Sequence, residues 1–393
     1  MTRTTTTLTA AALLGLGLLA PTQATAAAPT CGGAPATIVG TPGDRLVGTE
    51  GPDVIVSNGA LSVEALGGDD RICVTFETGL PYSTVPVAAG PGNDLVDATA
   101  SGAAVAADLG SGVDTFAGSD LGDIVGVEYP DPGAPDVVQG GGGIDVLDLA
   151  TAAGAGEVDN VLGRLTLGGE VRTTWTDLET FTLSPAEGTS PWRVVGSEAD
   201  ETIGWYPFGT GATIEADLGA GDDAFLSERP PAATSRVTGG AGRDRVYIAS
   251  TRAALDLDLA DGTLAVGGSS GYELATPGFE DADLFARWVT VTGTAGPNSI
   301  GLTACRGSVR LGAGDDTVER QYDSLFESDI RCSESLTANG GKGADVMSGT
   351  FGPDVLRGGP GHDRLRGRQG RDTAVGGPGR DRCLAERERR CER

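Results

Sequence analysis

Five aspartates near the end of the chain recur every nine residues and could together supply oxygen ligands for a cation. They are the sixth residues of five contiguous nonapeptides, GGKGADVMS, GTFGPDVLR, GGPGHDRLR, GRQGRDTAV and GGPGRDRCL. The aspartates are Asp345, Asp354, Asp363, Asp372 and Asp381, and the units begin at Gly340, Gly349, Gly358, Gly367 and Gly376. Hard oxygen ligands of this kind suit Ca²⁺ better than zinc or copper. The array therefore predicts calcium binding.

Each nonapeptide predicts a turn followed by a very short strand. Glycines at the first and fourth positions permit positive φ and let successive backbone layers approach closely. The eighth residue is apolar in every unit, which predicts one inward-pointing side chain per strand. These residues are Met347, Leu356, Leu365, Ala374 and Cys383. Two units make one coil, so turns eighteen residues apart stack on the same side of the molecule.

The array resembles the RTX (haemolysin-type) calcium-binding repeat family, whose nonapeptide is GGxGxDxUx with U a large apolar residue. The resemblance implies a parallel β-roll with Ca²⁺ held between stacked turns. It implies sites that use Asp345 with Asp363, Asp363 with Asp381, and Asp354 with Asp372. Two residues depart from the family pattern, because Arg368 follows the first glycine of its unit and Ala374 is small for an inward position. A phosphate-binding loop is disfavoured, since no helix-forming segment follows the glycines.

Degenerate Gly-Asp units are spread through the rest of the chain. Candidate metal ligands among them are Asp53, Asp136, Asp145 and Asp244, and Asn298 takes the aspartate position in another unit. For isolated aspartates such as Asp94 and Asp223, a structural turn and a metal site fit the sequence equally well. Alternating segments between the units, such as Leu255–Leu259, predict strands with one buried face.

The expected fold is an all-β parallel solenoid. Irregular wide coils should occupy residues 27–339, and a tight nonapeptide β-roll should occupy residues 340–384. Residues 385–393 should cap the open end, with a short helix over Ala385–Arg390, because an open solenoid edge would otherwise recruit other strands. Residues 151–192 lack the motif, and both a strand hairpin and an inserted subregion are compatible with them.

The composition excludes several classes of protein. Glycine and proline account for 64 and 21 of the 393 residues, which argues against long helices. A hydrophobic share of 39% argues against disorder, and a net charge of −27 argues against a nucleic-acid partner. The single histidine, His362, lies at a variable repeat position. A catalytic triad or a histidine-rich zinc site is therefore disfavoured.

Charge is distributed unevenly along the chain. Residues 351–393 contain 11 arginines and 7 acidic residues, whereas residues 27–350 contain 16 basic and 48 acidic residues. Uncompensated carboxylates in the turns repel one another, so we expect calcium binding and folding to be coupled. The arginines of Arg380–Arg393 are compatible with an ordinary solvated surface or with binding of an anionic cell-wall or extracellular polysaccharide.

The first residues predict export. Met1–Ala26 contains Arg3, an apolar stretch and a small-residue pattern ending at Ala26, the layout of a cleaved secretory signal peptide. No other segment approaches transmembrane length. In an oxidising compartment the six cysteines would form disulfides, with 15 possible connectivities. Proximity favours Cys31–Cys73, Cys305–Cys332 and Cys383–Cys391.

These observations predict a secreted, non-catalytic calcium-binding protein of the cell surface or matrix, since no residue pattern points to a reaction. The alternative is a carbohydrate-active enzyme, a polysaccharide lyase or epimerase built on a β-solenoid. Its only local support is a group of Trp192, Arg193, Trp205 and Tyr206, which a core or surface cluster explains equally well. In the RTX family the repeats often follow a separate hydrolase or toxin domain, and no block of this sequence is large enough and free of repeats to be one, so a toxin function is disfavoured.

Overall fold

The computed structural model describes residues 28–76, 84–127, 133–150, 155–186, 191–209, 211–267, 271–321 and 332–392. Every regular element in these ranges is a β-strand, which confirms the predicted all-β class. The predicted signal peptide over residues 1–26 lies outside the described residues. No helix long and apolar enough to cross a membrane occurs in the described ranges.

The strands are short, and most have three to five residues. In chain order they are β1 (Thr30–Cys31), β2 (Ala34–Pro35), β3 (Ile38–Val39), β4 (Arg45–Thr49), β5 (Val54–Val56), β6 (Ser62–Leu66), β7 (Arg71–Cys73), β8 (Val85–Ala88), β9 (Leu95–Asp97), β10 (Val105–Asp108), β11 (Thr115–Ala117), β12 (Ile124–Val127), β13 (Asp136–Gln139), β14 (Val146–Ala150), β15 (Gly156–Asp159), β16 (Arg164–Leu167), β17 (Glu170–Thr176) and β18 (Thr180–Ser184). They continue with β19 (Trp192–Val195), β20 (Thr202–Trp205), β21 (Ile214–Asp217), β22 (Ala224–Ser227), β23 (Arg236–Thr238), β24 (Arg245–Ser250), β25 (Leu255–Asp258), β26 (Thr263–Val266), β27 (Tyr272–Ala275), β28 (Asp281–Thr292), β29 (Ser299–Ala313), β30 (Thr317–Arg320), β31 (Leu336–Lys342), β32 (Val346–Ser348), β33 (Val355–Arg357), β34 (Arg364–Arg366), β35 (Thr373–Val375), β36 (Arg382–Leu384) and β37 (Arg387–Arg389).

Strands of successive coils pair in parallel and form two columns. Column A contains β3, β5, β7, β9, β11 and β13 near one end and β31, β33, β35 and β37 near the other. Column B contains β8, β10, β12 and β14, and later β30, β32, β34 and β36. The long strands β28 and β29 belong to both columns. This confirms the predicted parallel solenoid, and its pairing continues from the irregular coils into the C-terminal array.

The core lies between the two columns because side chains alternate across each strand. Strand β10 shows the pattern, with Val105 and Ala107 buried and the two residues between and after them facing outward. In the array, Met347, Leu356 and Leu365 are at most 2% exposed. Burying a side chain of this size contributes about 1.5–3 kcal/mol, so each coil adds a similar increment to the core.

Coil length varies upstream and is constant in the array. Corresponding positions on consecutive coils are 18 residues apart in the array but vary between 17 and 36 elsewhere. The two longest coils each contain an antiparallel meander, β15–β16–β17 in one and β25–β26–β27 in the other. In the described part of residues 151–192, the insertion is therefore a strand meander whose outer strands pair with β13 and β19.

The end of the chain differs from the prediction of a helical cap. Arg387–Arg389 form strand β37, which pairs in parallel with β35, so the expected helix over Ala385–Arg390 was wrong. The physical reason is that the main-chain N–H of Asp372 donates to the Glu386 carboxylate at 2.8 Å, which continues the coil pattern by one more turn. The three predicted disulfides are confirmed, and Cys383–Cys391 fixes this last half-coil.

Candidate metal centre

The repeat aspartates stack in register along the edges of the two columns. Each precedes a strand, and in all but Asp354 the Oδ1 accepts a hydrogen bond from the main-chain N–H of the aspartate one coil earlier. The N–O distances are 3.0 Å for Asp345 to Asp363, 3.0 Å for Asp363 to Asp381, and 2.9 Å for Asp354 to Asp372. The three pairs implied by the resemblance are therefore neighbours in the structure. All five aspartates are at most 1% exposed.

The glycines of the repeat create the space for these carboxylates. A Cβ at Gly340 or Gly358, the first residue of its unit, would lie 2.0 Å from the Oδ2 of the aspartate in the same unit. The corresponding distances at Gly349, Gly367 and Gly376 are 2.2, 2.4 and 2.4 Å. Any larger residue at these positions would have to displace the carboxylate.

A second set of glycines brings the coils together. Gly359 has a φ of +118°, and a Cβ there would lie 2.0 Å from the carbonyl oxygen of Gly341 on the preceding coil. A Cβ at Gly361 would lie 1.6 Å from the carbonyl oxygen of Gly343. Only glycine tolerates this contact, so the predicted close approach of backbone layers is observed.

The second residue of the unit divides the turns into two types. In what we call an open turn, this residue has positive φ, as do Gly341, Gly359, Gly377 and Arg368 in the array. The Oδ2 atoms of the corresponding Asp345, Asp363, Asp381 and Asp372 are buried and accept no hydrogen bond within the described structure. Burying a carboxylate oxygen without a hydrogen-bond donor costs folding free energy, and a bound cation would offset that cost.

In what we call a closed turn, the second residue is serine or threonine and satisfies the carboxylate itself. The N–H of Thr350 donates to Asp354 Oδ2 at 2.6 Å, and its hydroxyl donates to Oδ1 at 2.9 Å. The N–H of Leu336 donates to Oδ1 at 2.7 Å. Other closed turns pair Thr49 with Asp53, Ser119 with Asp123, Ser197 with Glu201, and Thr294 with Asn298. Neither oxygen of Asp354 is left without a donor.

The candidates outside the array fall into both types. Asp145 and Asp244 are in open turns, with Gly141 at +99° and Gly240 at +125° as second residues, and each has a buried Oδ2 without a partner. Asp53 is in a closed turn. Asp136 is 3% exposed, and its Oδ1 accepts the N–H of Asp114 at 3.0 Å.

Three glutamates that make this contact between coils in the described residues were not found from the sequence. Glu179, Glu280 and Glu386 accept the N–H groups of Asp145, Asp244 and Asp372 at 2.9, 3.0 and 2.8 Å, the same contact that the aspartates make. Their units lack the glycine pattern, and the only sequence signal is an acidic residue at or shortly before the start of a strand.

Burial dominates the electrostatics of the columns. Desolvation raises the pKa of Asp345 and of Asp363 to about 6, and the neighbouring carboxylates Asp316, Asp345 and Asp381 add to the effect. Burial also raises the pKa of Asp372 and of Asp354, although in Asp354 the hydrogen bonds from Thr350 act in the opposite direction. The columns thus hold several carboxylates that are difficult to ionise together in the absence of a cation.

The donor set fits calcium. Two open carboxylates on adjacent coils offer hard anionic oxygens, and the glycine turns between them offer main-chain carbonyls. In the part of the chain that the structure describes, no three His, Cys, Asp or Glu side chains form a group that could hold a metal ion. Side chains alone therefore supply at most part of a coordination shell, and the main chain would have to supply the rest.

The remaining candidate residues have structural surroundings. His362 Nδ1 accepts a hydrogen bond from the main-chain N–H of Arg380 at 3.0 Å. Asp315, at the equivalent position of an earlier coil, accepts the corresponding hydrogen bond from Ala344. Trp192 and Trp205 are at most 1% exposed and belong to the core. These two tryptophans are therefore not available to line a sugar-binding groove.

Comparison with known proteins identifies the array. The family model of the RTX calcium-binding nonapeptide repeat (4 copies) matches residues 339–374 and 348–383. No curated protein matches the chain. The match covers the first four nonapeptides and the fifth up to Cys383, and leaves the upstream coils, with their degenerate units, outside it.

Proposed function

Since residues 339–383 are RTX calcium-binding repeats, we propose that the protein is a secreted, non-catalytic calcium-binding solenoid. Its principal sites lie between Asp345 and Asp363 and between Asp363 and Asp381, on the column B edge of the array. The observation that carries the proposal is the row of buried Oδ2 atoms without hydrogen-bond donors at these three aspartates.

Calcium, when bound, supplies a divalent positive charge and Lewis-acid coordination to these oxygens. The chain's own residues provide the geometry for it. Main-chain N–H groups hold Oδ1 of each aspartate, so the side chain is fixed and Oδ2 alone remains for the ion. The glycines exclude side chains from the same space. Ordering of the turns is therefore coupled to capture of the ion, and ligand binding stabilises the fold.

The pair formed by Asp354 and Asp372 should bind calcium more weakly. Thr350 already satisfies the Asp354 carboxylate, so this pair contributes one open oxygen, from Asp372. We propose that the column A edge of the array is mainly structural and that Asp363, which is shared by two sites, is the most important ligand.

Calcium titration by calorimetry tests this assignment. Asp363→Asn should remove more bound calcium than the matched variant Asp354→Asn, since the first residue has an open oxygen and the second does not. Circular dichroism in excess chelator should show reduced β content that calcium restores. Equal calcium losses in the two variants, or full β content in chelator, would overturn the proposal.

The location and the absence of catalysis belong to the same proposal. Three disulfides are compatible with an oxidising compartment, and the first 26 residues have the layout of a secretory signal. For this calcium-dependent solenoid we propose a role at the cell surface or in the matrix. A lyase or epimerase would release unsaturated or epimerised uronic acids, which an assay on polyuronates would detect.

We propose a polysaccharide partner from one specific surface, the arginine face formed by Arg364, Arg366 and Arg382. Arg364 and Arg382 are register neighbours on β34 and β36. All three are exposed, and none takes part in the ion pairs formed within the described residues. A row of unpaired guanidinium groups fits carboxylate or sulfate groups of an anionic polymer.

Polygalacturonate binding tests the arginine face, with neutral dextran as the control polymer. Replacing Arg364 and Arg382 together by serine should weaken polygalacturonate binding at least tenfold at low salt, and added salt should weaken the wild-type interaction. Binding that is unchanged in this variant would contradict the assignment.

A further inference from the structure

A second stack of open turns lies far from the array, on the column A edge of the first coils. It contains Asp70, Asp94 and Asp114, which precede β7, β9 and β11 and lie outside the residues matched by the repeat family. The N–H of Asp70 donates to Asp94 Oδ1 at 2.8 Å, and the N–H of Asp94 donates to Asp114 Oδ1 at 2.8 Å. The coils here are 24 and 20 residues long, so the stack has no fixed sequence period.

The second residues of these turns make them open. Leu66, Gly90 and Gly110 have φ values of +77°, +100° and +80°. None is a serine or threonine, so none can close its turn with a hydroxyl group. Leu66 adopts the left-handed conformation despite its side chain, which costs about 1 kcal/mol and indicates that the surrounding turn imposes it.

The backbone layers are as close as in the array. A Cβ at Gly92 would lie 1.9 Å from the carbonyl oxygen of Gly68, and a Cβ at Gly112 would lie 1.7 Å from that of Gly92. The equivalent distance in the array is 1.6 Å, from Gly361 to Gly343. The fourth residue of each turn therefore occupies the same place relative to the next coil in both regions.

The carboxylates lack a counter-charge. Asp70 and Asp94 are 1% and 2% exposed, and the Oδ2 atom of each is buried without a hydrogen-bond partner. Across the described ranges, no arginine or lysine forms an ion pair with Asp70, Asp94 or Asp114. Two adjacent buried anionic oxygens with which no basic side chain of the described residues forms an ion pair favour a cation from solution.

We propose that Asp70, Asp94 and Asp114 form a second calcium-binding stack, with one site between Asp70 and Asp94 and one between Asp94 and Asp114. The inference relies on the chemistry of the proposed function but uses different residues. The stack ends at Asp53, because Thr49 closes that turn with its N–H and its hydroxyl. Hard carboxylate and carbonyl oxygens in a flexible turn favour Ca²⁺ over the smaller Mg²⁺.

The test is the calcium stoichiometry of the folded, disulfide-bonded chain by equilibrium dialysis, with three matched substitutions. Asp94→Asn removes the residue shared by both sites and should lower the stoichiometry by up to two ions. Asp53→Asn, in the adjacent closed turn, should leave it unchanged. Asp363→Asn reports on the array alone.

The outcomes distinguish this stack from the array. Loss of calcium in Asp363→Asn but not in Asp94→Asn would overturn the second stack and leave the proposed function intact. Loss in Asp94→Asn but not in Asp363→Asn would do the reverse. Should Asp94→Asn fail to fold in calcium, Asp114→Asn, which affects only one of the two sites, should still lose one ion, and an unchanged stoichiometry there would overturn the proposal.

Discussion

The two edges of the C-terminal array are built from the same nonapeptide but leave their carboxylates in different states. On the column B edge, Asp345, Asp363 and Asp381 each have a buried oxygen without a donor. On the column A edge, Thr350 satisfies both oxygens of Asp354. The difference arises at the second residue of the unit, which is a glycine of positive φ in all three column B turns. On the column A edge it is Thr350 before Asp354 but Arg368, also of positive φ, before Asp372, whose Oδ2 is likewise without a donor. The aspartate alone therefore does not identify a calcium ligand, and the residue four positions before it carries the missing information.

The largest expected effect is a reversal of pH dependence on calcium binding. The folded pKa of Asp345, Asp363 and Asp94 is about 6, above the value of about 3.9 in an unfolded chain. A raised carboxylate pKa means that the folded state binds more protons between about pH 4 and pH 6. Stability without calcium is therefore highest below the unfolded pKa and falls as pH rises through this window.

Thermal unfolding at pH 5.0 and pH 7.5 measures this effect. In chelator the melting temperature should be higher at pH 5.0 than at pH 7.5 by roughly 5 °C or more, since several open carboxylates act together. In saturating calcium the order should reverse, because the ion needs ionised carboxylates and protons compete with it. The same order in both conditions would mean that the open turns do not bind calcium.

The next largest effect concerns the close approach of coils on the column B edge of the array. Gly359→Ala places a Cβ 2.0 Å from the Gly341 carbonyl oxygen at a φ of +118°. We expect a loss of about 2–4 kcal/mol in unfolding free energy, measured by denaturant titration in saturating calcium. The matched control is Gly51→Ala, in a closed turn, where no atom lies within 4 Å and φ is not positive. If Gly51→Ala destabilises the protein as much as Gly359→Ala, the close approach of coils at Gly359 is not the cause of the loss.

Asparagine substitutions on the two edges should have opposite signs in chelator. Asp363→Asn keeps an oxygen for the N–H of Asp345 and removes a buried charge, so the calcium-free protein should gain about 1 kcal/mol. Asp354→Asn places an amide NH₂ against the N–H of Thr350 or of Leu336, and should cost about 1–3 kcal/mol. Asn298 is tolerated in its closed turn because its Nδ2 donates to the Glu280 carbonyl at 2.7 Å.

Urea unfolding of both variants in excess chelator measures this difference. A stabilised Asp354→Asn, or an Asp363→Asn that is destabilised without calcium, would contradict the assignment of open and closed turns. The comparison is independent of calcium affinity, so it tests the geometry of the edges directly.

Local periodicity made much of the array predictable. The nine-residue repeat gave the register of Asp345, Asp363 and Asp381, and the apolar eighth position gave the buried face. The disulfides followed from proximity along the chain, because neighbouring coils bring nearby cysteines together. Upstream, the coil length varies, so there is no fixed period from which the stacked positions could be predicted.

The errors have local physical causes. The acidic and basic residues after Cys383 have good helix propensity, but Glu386 accepts the Asp372 N–H and holds the chain as a strand. Glu179 and Glu280 enter the columns without any glycine signal, since a longer side chain reaches the same N–H from a different turn. The repeat pattern does not distinguish open from closed turns, because both satisfy Gly-x-x-Gly-x-Asp.

The smallest effect concerns the one unit of the array in which a bulky residue makes the turn open. Arg368 has a φ of +74°, and its Nε donates to the Ser348 hydroxyl at 2.7 Å in a solvent-exposed hydrogen bond. The left-handed conformation costs a non-glycine residue about 1 kcal/mol, more than an exposed hydrogen bond returns. Arg368→Gly should therefore raise the unfolding free energy by about 0.5–1 kcal/mol in urea titration. Arg371→Gly, three residues later with ordinary φ, should instead lower it by roughly 0.5 kcal/mol, because glycine only adds freedom to the unfolded chain there. Equal effects of the two variants would show that the second position imposes no positive φ, and that the open turns need another explanation.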